Sequence, residues 1–181
     1  MKKMMLLLAG LVALTACSQS KQDTKESTSN QTTKETKVSE SSKEEKGLKF
    51  VVAPQYEGKT SELIELGKKL VKEHPELGSE GNMALYFTGA ISEGRAALML
   101  VNKTDVDIKK DLNFSISWSY DGKTIFDNQK VSYFIKDSGE LPSHTATMIL
   151  LPLNEEQMKI VDGMSDPSKM VLRMSDVNAV E

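Results

Sequence analysis

Cysteine and histidine are scarce in this chain, which has one cysteine, Cys17, and two histidines, His74 and His144. A single cysteine excludes an intramolecular disulfide. A zinc site would need both histidines and carboxylates from remote segments, so we expect no metal site. The sequence also lacks a G-x-S-x-G nucleophile elbow and a glycine loop that could cradle a phosphate. We therefore expect a protein that is not an enzyme and that needs no cofactor.

Aromatic residues are absent from the first 47 positions, so only residues 48–181 can build a core. That stretch is long enough for one ordinary domain. It carries fifteen Lys and Arg residues against twenty Asp and Glu residues. An acidic folded part is a poor partner for a polyanion, so we expect no binding to nucleic acid.

The amino terminus has the organisation of a signal peptide. Two lysines, Lys2 and Lys3, precede an apolar run that extends to Ala16. As a helix this run would be about 20 Å long, short of the roughly 30 Å hydrocarbon core of a bilayer. The polar sequence that starts at Ser18 indicates processing instead of spanning, so residues 1–16 are predicted to be removed.

The residues before Cys17 do not fit an ordinary secretory cleavage site, which requires small side chains one and three positions before the cleaved bond. Bulky Leu14 lies three positions before Cys17. The run Leu14-Thr15-Ala16-Cys17 instead resembles the lipobox of bacterial lipoproteins. That resemblance implies a diacylglycerol on the Cys17 sulfur, with acyl chains such as palmitate, and cleavage just before this residue. Two acyl chains anchor a protein stably, which places the chain on the extracytoplasmic face of the cell membrane.

Residues 17–47 are predicted to be the lipidated cysteine and a tether. From position 18 onward the segment is mostly Ser, Thr, Lys and Glu, and Val38 is its one large apolar side chain. Such a composition cannot bury enough surface to offset the entropy of ordering, so we expect a flexible spacer. A solubilising tail with no spacing function is the alternative. Lys- and Thr-rich tethers after a lipidated cysteine are similar to those of Gram-positive lipoproteins.

Residues 48–181 are predicted to form an extracytoplasmic β-sandwich with one or two accessory helices. The clearest strand is 112–120, in which apolar residues alternate with Asn and Ser. A helix over 61–73 is indicated by one apolar stripe, and Asn154 with Gln157 is typical of a capping box. About seven strands with frequent turn signals and no βαβ alternation favour an antiparallel sandwich. The other predicted strands are 48–54, 83–91, 96–101, 124–127, 130–135, 145–151 and 169–174.

Short motifs in 82–153 carry a resemblance to a known domain class. They are Leu98-Met99-Leu100-Val101-Asn102-Lys103-Thr104, then Asp121-Gly122-Lys123, then Gly139-Glu140-Leu141-Pro142-Ser143 before Leu150-Leu151-Pro152-Leu153. Together they resemble the immunoglobulin-like domains of small Firmicute lipoproteins, of which the SLAP-type domain of cell-surface proteins is the nearest named class. The resemblance implies an immunoglobulin-like fold and carries no catalytic residue.

Three functions remain open from the sequence. The first is a non-catalytic cell-surface lipoprotein that binds a protein, a peptide or a cell-wall component, with loops 102–111 and 136–144 as contact surfaces. The second is an accessory or sensor subunit of a membrane complex, and the third is a hydrolase with an unrecognised site. A separate possibility is that the signal peptide releases a short signalling peptide from 10–16. We expect His74 to lie at a helix end and His144 to face solvent.

Overall fold

The computed structural model describes residues 47–180, so the signal-peptide, lipobox, Cys17 and tether predictions fall outside the described residues. This part of the chain is mainly β, with seven strands and three helices. The elements are β1 (Lys49–Phe50), α1 (Glu62–Glu73), β2 (Met83–Ser92), β3 (Arg95–Asn102), β4 (Leu112–Tyr120), β5 (Lys123–Tyr133), α2 (Ile135–Ser138), β6 (Thr145–Pro152), α3 (Glu155–Asp162) and β7 (Met170–Ala179).

The strands form two sheets, one in the order β1-β6-β3-β2 and the other in the order β5-β4-β7. All pairs are antiparallel except β1 with β6, which is parallel. Trp118 lies on β4, the central strand of the second sheet. The predicted antiparallel sandwich is confirmed.

The main core lies between the sheets. As the alternation of apolar residues predicts, the five inward side chains of β4 are all buried. They are Leu112, Phe114, Ile116, Trp118 and Tyr120. The Trp118 ring packs against Phe87 at 4.9 Å and Phe126 at 6.0 Å between ring centroids.

Helix α1 is the predicted accessory helix, and it packs on the outer face of the first sheet. Ser61 caps it by accepting a hydrogen bond from the Ile64 N–H at 3.3 Å. The Phe50 ring lies so close to Gly67 that an added Cβ would meet ring carbons at 2.3 Å. A second apolar cluster results, centred on Leu48, Val71, Met99, Val101 and Ala146.

Several predicted boundaries differ from the observed ones. The first strand ends at Phe50 and not at position 54, since Pro54 begins a 3-10 turn. The predicted strands 124–127 and 130–135 are one strand, because a bulge with Asn128 in the left-handed region (φ 49°) absorbs the break. The last strand continues to Ala179, and the predicted capping box of Asn154 and Gln157 is confirmed.

The apolar positions of the predicted helix and strands predict eleven core residues, and five of these predictions are correct. Leu98, Leu100, Phe114, Ile116 and Trp118 are buried as expected. Six other residues predicted for the core are only partly buried, because they lie under or beside α1 or near a sheet margin: Phe50, Leu63, Leu66, Leu70, Phe87 and Leu150.

The methionines near the carboxyl end contribute to packing. Met164, Met170 and Met174 contact the main core, and the Met158 methyl lies near Gly94. Within residues 47–180, no group of three or more His, Cys, Asp and Glu side chains is arranged to hold a metal ion.

Candidate functional site

An apolar groove lies beside the amino-terminal end of α1, on the outer face of the first sheet. Its volume is about 250 Å³, and most of its lining is aliphatic or aromatic. Leu63 and Ile64 of α1 form one wall, and Met148 and Leu150 of β6 form the opposite side. The other lining residues are Phe50, Val51, Val52, Ala53, Tyr56, Ser61, Ser92, Glu93, Arg95 and Thr147.

The groove exists because β1 is too short to cover β6. Only two residue pairs join these strands, Lys49 with Thr145 and Phe50 with Ala146. One further hydrogen bond follows, from the Val51 N–H to the Ala146 carbonyl at 2.8 Å. Pro54 then begins a 3-10 turn, so the chain leaves the sheet and, within residues 47–180, the rest of β6 has no neighbouring strand on that side.

The peptide groups of Met148 and Leu150 point toward this open side. Successive peptide groups of a strand alternate in direction, and the Ala146 carbonyl already faces β1. Leu153, an odd-numbered position, donates its N–H toward β3, to the Gly94 carbonyl at 2.9 Å. The N–H and C=O groups of even-numbered residues in β6 therefore point toward the open edge. Among the described residues, those of Met148 and Leu150 have no hydrogen-bond partner on this edge.

The ends of the groove are polar. An ion pair between Glu93 and Arg95 borders one end, at the turn between β2 and β3. Tyr56, which is 47% exposed, lines another part, and the Lys59 ammonium lies 5.9 Å from the centre of its ring. The Thr147 hydroxyl donates to the Val51 carbonyl at 3.0 Å, which fixes the floor beside β6.

This arrangement suits an extended peptide. A strand edge offers donors and acceptors at every second residue, and only another extended backbone matches that spacing. The apolar walls supply the contacts for alternate side chains. The groove therefore has both the hydrogen-bonding and the apolar elements of strand addition.

A second cluster of polar side chains surrounds His144. Its ring Nε2 lies 3.0 Å from a Glu80 carboxylate oxygen, and its Nδ1 lies 2.7 Å from the Ser143 hydroxyl. Lys103 contacts the other Glu80 oxygen at 3.1 Å and donates to the Pro75 carbonyl at 3.3 Å. The His144 side chain is 13% exposed, so the prediction that it faces solvent is wrong.

Sequence reasoning missed the carboxylate beside His144 because Glu80 lies 64 positions away. Hydrogen bonds from Lys103 and then from His144 lower the pKa of Glu80 below its ordinary value. His74, by contrast, lies at the carboxyl end of α1 as predicted, with its Nδ1 3.2 Å from Glu76.

Ser143, His144 and Glu80 share the residue types of a hydrolytic triad, but the serine is held in structural contacts. Its hydroxyl donates to the Thr104 carbonyl at 2.6 Å, and its backbone N–H donates to Asp107 at 2.9 Å. A nucleophile needs a hydroxyl free to approach its substrate and N–H donors nearby for the oxyanion. The same contacts join the end loops 102–111 and 136–144 to each other.

No family model matches this chain, and no curated protein or solved structure is significantly similar to it. Similarity to known proteins therefore assigns it no function. Within residues 47–180, no helix is both long enough and apolar enough to cross a membrane.

Proposed function

We propose that this chain is a non-catalytic lipoprotein of a Gram-positive cell surface, and that its sandwich captures an extended peptide segment of a partner protein. The signal peptide 1–16 directs export, and a diacylglycerol on Cys17 anchors the mature chain in the membrane. Residues 18–47 then hold the domain away from the bilayer, on the extracytoplasmic face.

The single observation that carries the peptide-binding proposal is the open edge of β6. The unpaired peptide groups of Met148 and Leu150 lie beside an apolar groove of about 250 Å³. Uncovered strand edges invite pairing with another chain, and proteins that do not use them cover or charge them. Here the residues of the edge are apolar and the groove beside it is largely aliphatic.

The bound segment is expected to place apolar side chains at alternate positions. Those on one face would contact Leu63 and Ile64 of α1, while its backbone pairs with Met148 and Leu150. A polar or strongly charged segment would leave the groove walls in contact with unpaired charge, which is costly.

A photo-crosslinking amino acid at Met148 on intact cells tests the proposal. We expect a crosslink to one defined partner segment with alternating apolar residues. Leu150→Pro should abolish the crosslink, because it removes the outward N–H of β6 while leaving the ladder to β3 intact. The matched control is Ser132→Pro on β5, an exposed position on an edge strand of the other sheet whose N–H also points away from the neighbouring strand.

The outcomes separate three cases. Loss of the crosslink in Leu150→Pro, with retention in Ser132→Pro, supports strand addition at β6. A crosslink to β6 of a second copy would instead show that the edge forms a homodimer. A crosslink that survives Leu150→Pro, in a protein with unchanged melting, contradicts the proposal.

A further inference from the structure

Strand β1 stops pairing with β6 just before the open edge begins. The two strands run parallel, in a register that places Phe50 opposite Ala146, and the next residue, Val51, donates its N–H to the Ala146 carbonyl at 2.8 Å. In a parallel ladder, a residue that donates to one position of its neighbour accepts from the position two residues further along. The Val51 carbonyl is therefore the acceptor that the Met148 N–H would bind if the ladder continued.

The Thr147 side chain takes this acceptor instead. Its hydroxyl donates to the Val51 carbonyl at 3.0 Å, and the residue is only 2% exposed. The register, continued by one residue, places Thr147 directly opposite Val51. Among the described residues, the Met148 N–H forms no hydrogen bond with β1 or with the segment that follows it. A side-chain donor thus replaces a backbone donor, and the ladder ends one step early.

The chain beyond this contact stays beside the groove without pairing with β6. Val52 and Ala53 line the groove together with Val51, and Pro54 then begins the 3-10 turn. Proline has no N–H, so it cannot donate to β6 and extend the ladder further. The Val51 carbonyl and the backbone of an incoming peptide would compete for the same Met148 N–H, because each offers an acceptor at this position.

We infer that Thr147 is a positioning residue of the peptide site: its hydroxyl holds the Val51 carbonyl and thereby leaves the Met148 N–H free for the bound segment. A partly buried carbonyl is costly to leave without a donor. Without the Thr147 hydroxyl, the Met148 N–H is the donor that the ladder supplies, so β1 lengthens and covers the start of the edge. The inference rests on the proposed function for its effect on binding, but its effect on the edge needs no partner.

Thr147→Val tests the inference in the free full chain, because valine keeps the shape of the side chain and lacks the hydroxyl. Amide hydrogen exchange should slow at least tenfold at Met148, whose N–H gains the Val51 carbonyl, and should stay fast at Leu150. Thr147→Ser keeps the hydroxyl and should exchange as the parent chain does. If Thr147→Val fails to fold, Thr147→Ala carries the same test.

The consequence for binding is measured with the photo-crosslinking amino acid at position 148 on intact cells. Thr147→Val should lower the crosslink yield at least fivefold, and Thr147→Ser should retain it. Thr145→Val is the matched control, since Thr145 is also buried in β6 but its hydroxyl donates to the Pro142 carbonyl at 2.6 Å, outside the groove. This control should change neither the exchange of the Met148 amide nor the crosslink.

The two measurements separate this inference from the proposed function. Slowed exchange of Met148 in Thr147→Val supports the positioning role even if the parent chain gives no crosslink, a result that would count against peptide capture alone. A Met148 amide that exchanges as fast in Thr147→Val as in the parent chain would overturn the inference and leave the proposed function standing. Equal slowing in Thr147→Ser would also overturn it, because the hydroxyl would then have no part in the effect.

Discussion

The Asn102 side chain donates a hydrogen bond to the Leu141 carbonyl at 3.0 Å, across 39 positions of sequence. The same amide nitrogen lies within hydrogen-bonding distance of the carbonyls of Val106 and Pro142, at 2.9 and 3.1 Å. Asn102 is completely buried. One side chain therefore holds together the two end loops of the sandwich, next to the segment where β6 begins.

Replacement of Asn102 by alanine should lower the free energy of unfolding by about 2–4 kcal/mol, because it leaves buried carbonyls without a donor. Chemical denaturation measures the loss. Asn178→Ala is the control, since this exposed amide donates only to the Asp176 carbonyl, and it should change stability by less than about 0.5 kcal/mol. A loss below about 1 kcal/mol for Asn102→Ala would contradict the assigned contact.

Trp118 should be the most costly single truncation in the core. It is 1% exposed and contacts Phe87 and Phe126, so Trp118→Ala should cost about 3–5 kcal/mol. Its indole N–H has no hydrogen-bond partner in the part of the chain that the structure describes. Trp118→Phe should therefore cost much less, about 1 kcal/mol, because it removes an unsatisfied donor along with the lost volume. Equal losses for the two variants would contradict this account.

The contacts of Glu80 should make stability depend on pH in the acid range. Because the folded-state pKa of Glu80 is lowered from its ordinary value of 4.5, its contribution is present above that pH. The contribution is lost as the pH falls through the lowered value. Thermal melting from pH 6 to pH 3 should show a smaller decrease for Glu80→Gln than for the parent chain. Glu140→Gln, an exposed control in the loop before β6, should follow the parent curve.

Lipidation of Cys17 should be visible in the intact mass of protein extracted from membranes. We expect a chain that begins at Cys17 and carries a diacylglycerol. Cys17→Ala should release the domain into the medium or leave an uncleaved precursor. An unmodified Cys17 in the membrane fraction would contradict the anchor.

The fold was largely predictable because its strands carry local signals. The alternation in 112–120 and the apolar stripe of α1 depend on neighbouring residues alone, and both are confirmed. Turn signals were equally local: Asp121 and Gly122 have the positive φ values of a tight hairpin. The bulge in β5 was missed because a two-residue period cannot distinguish a bulge from a break between strands.

The candidate sites were not predictable, because they depend on which strands are neighbours. The open edge of β6 results from a first strand of two residues, and nothing local marks Met148 as unpaired. The carboxylate beside His144 comes from a segment 64 positions earlier.

Amide hydrogen exchange at β6 tests the central claim most directly. In the free full chain, the amides of Met148 and Leu150 should exchange fast, while those of Thr147 and Ile149 are protected by the ladder to β3. A synthetic peptide with the crosslinked partner sequence should slow Met148 and Leu150 at least tenfold and leave the other two unchanged. Slow exchange of Met148 and Leu150 in the free chain, or no added protection at saturating peptide, would contradict strand addition at this edge.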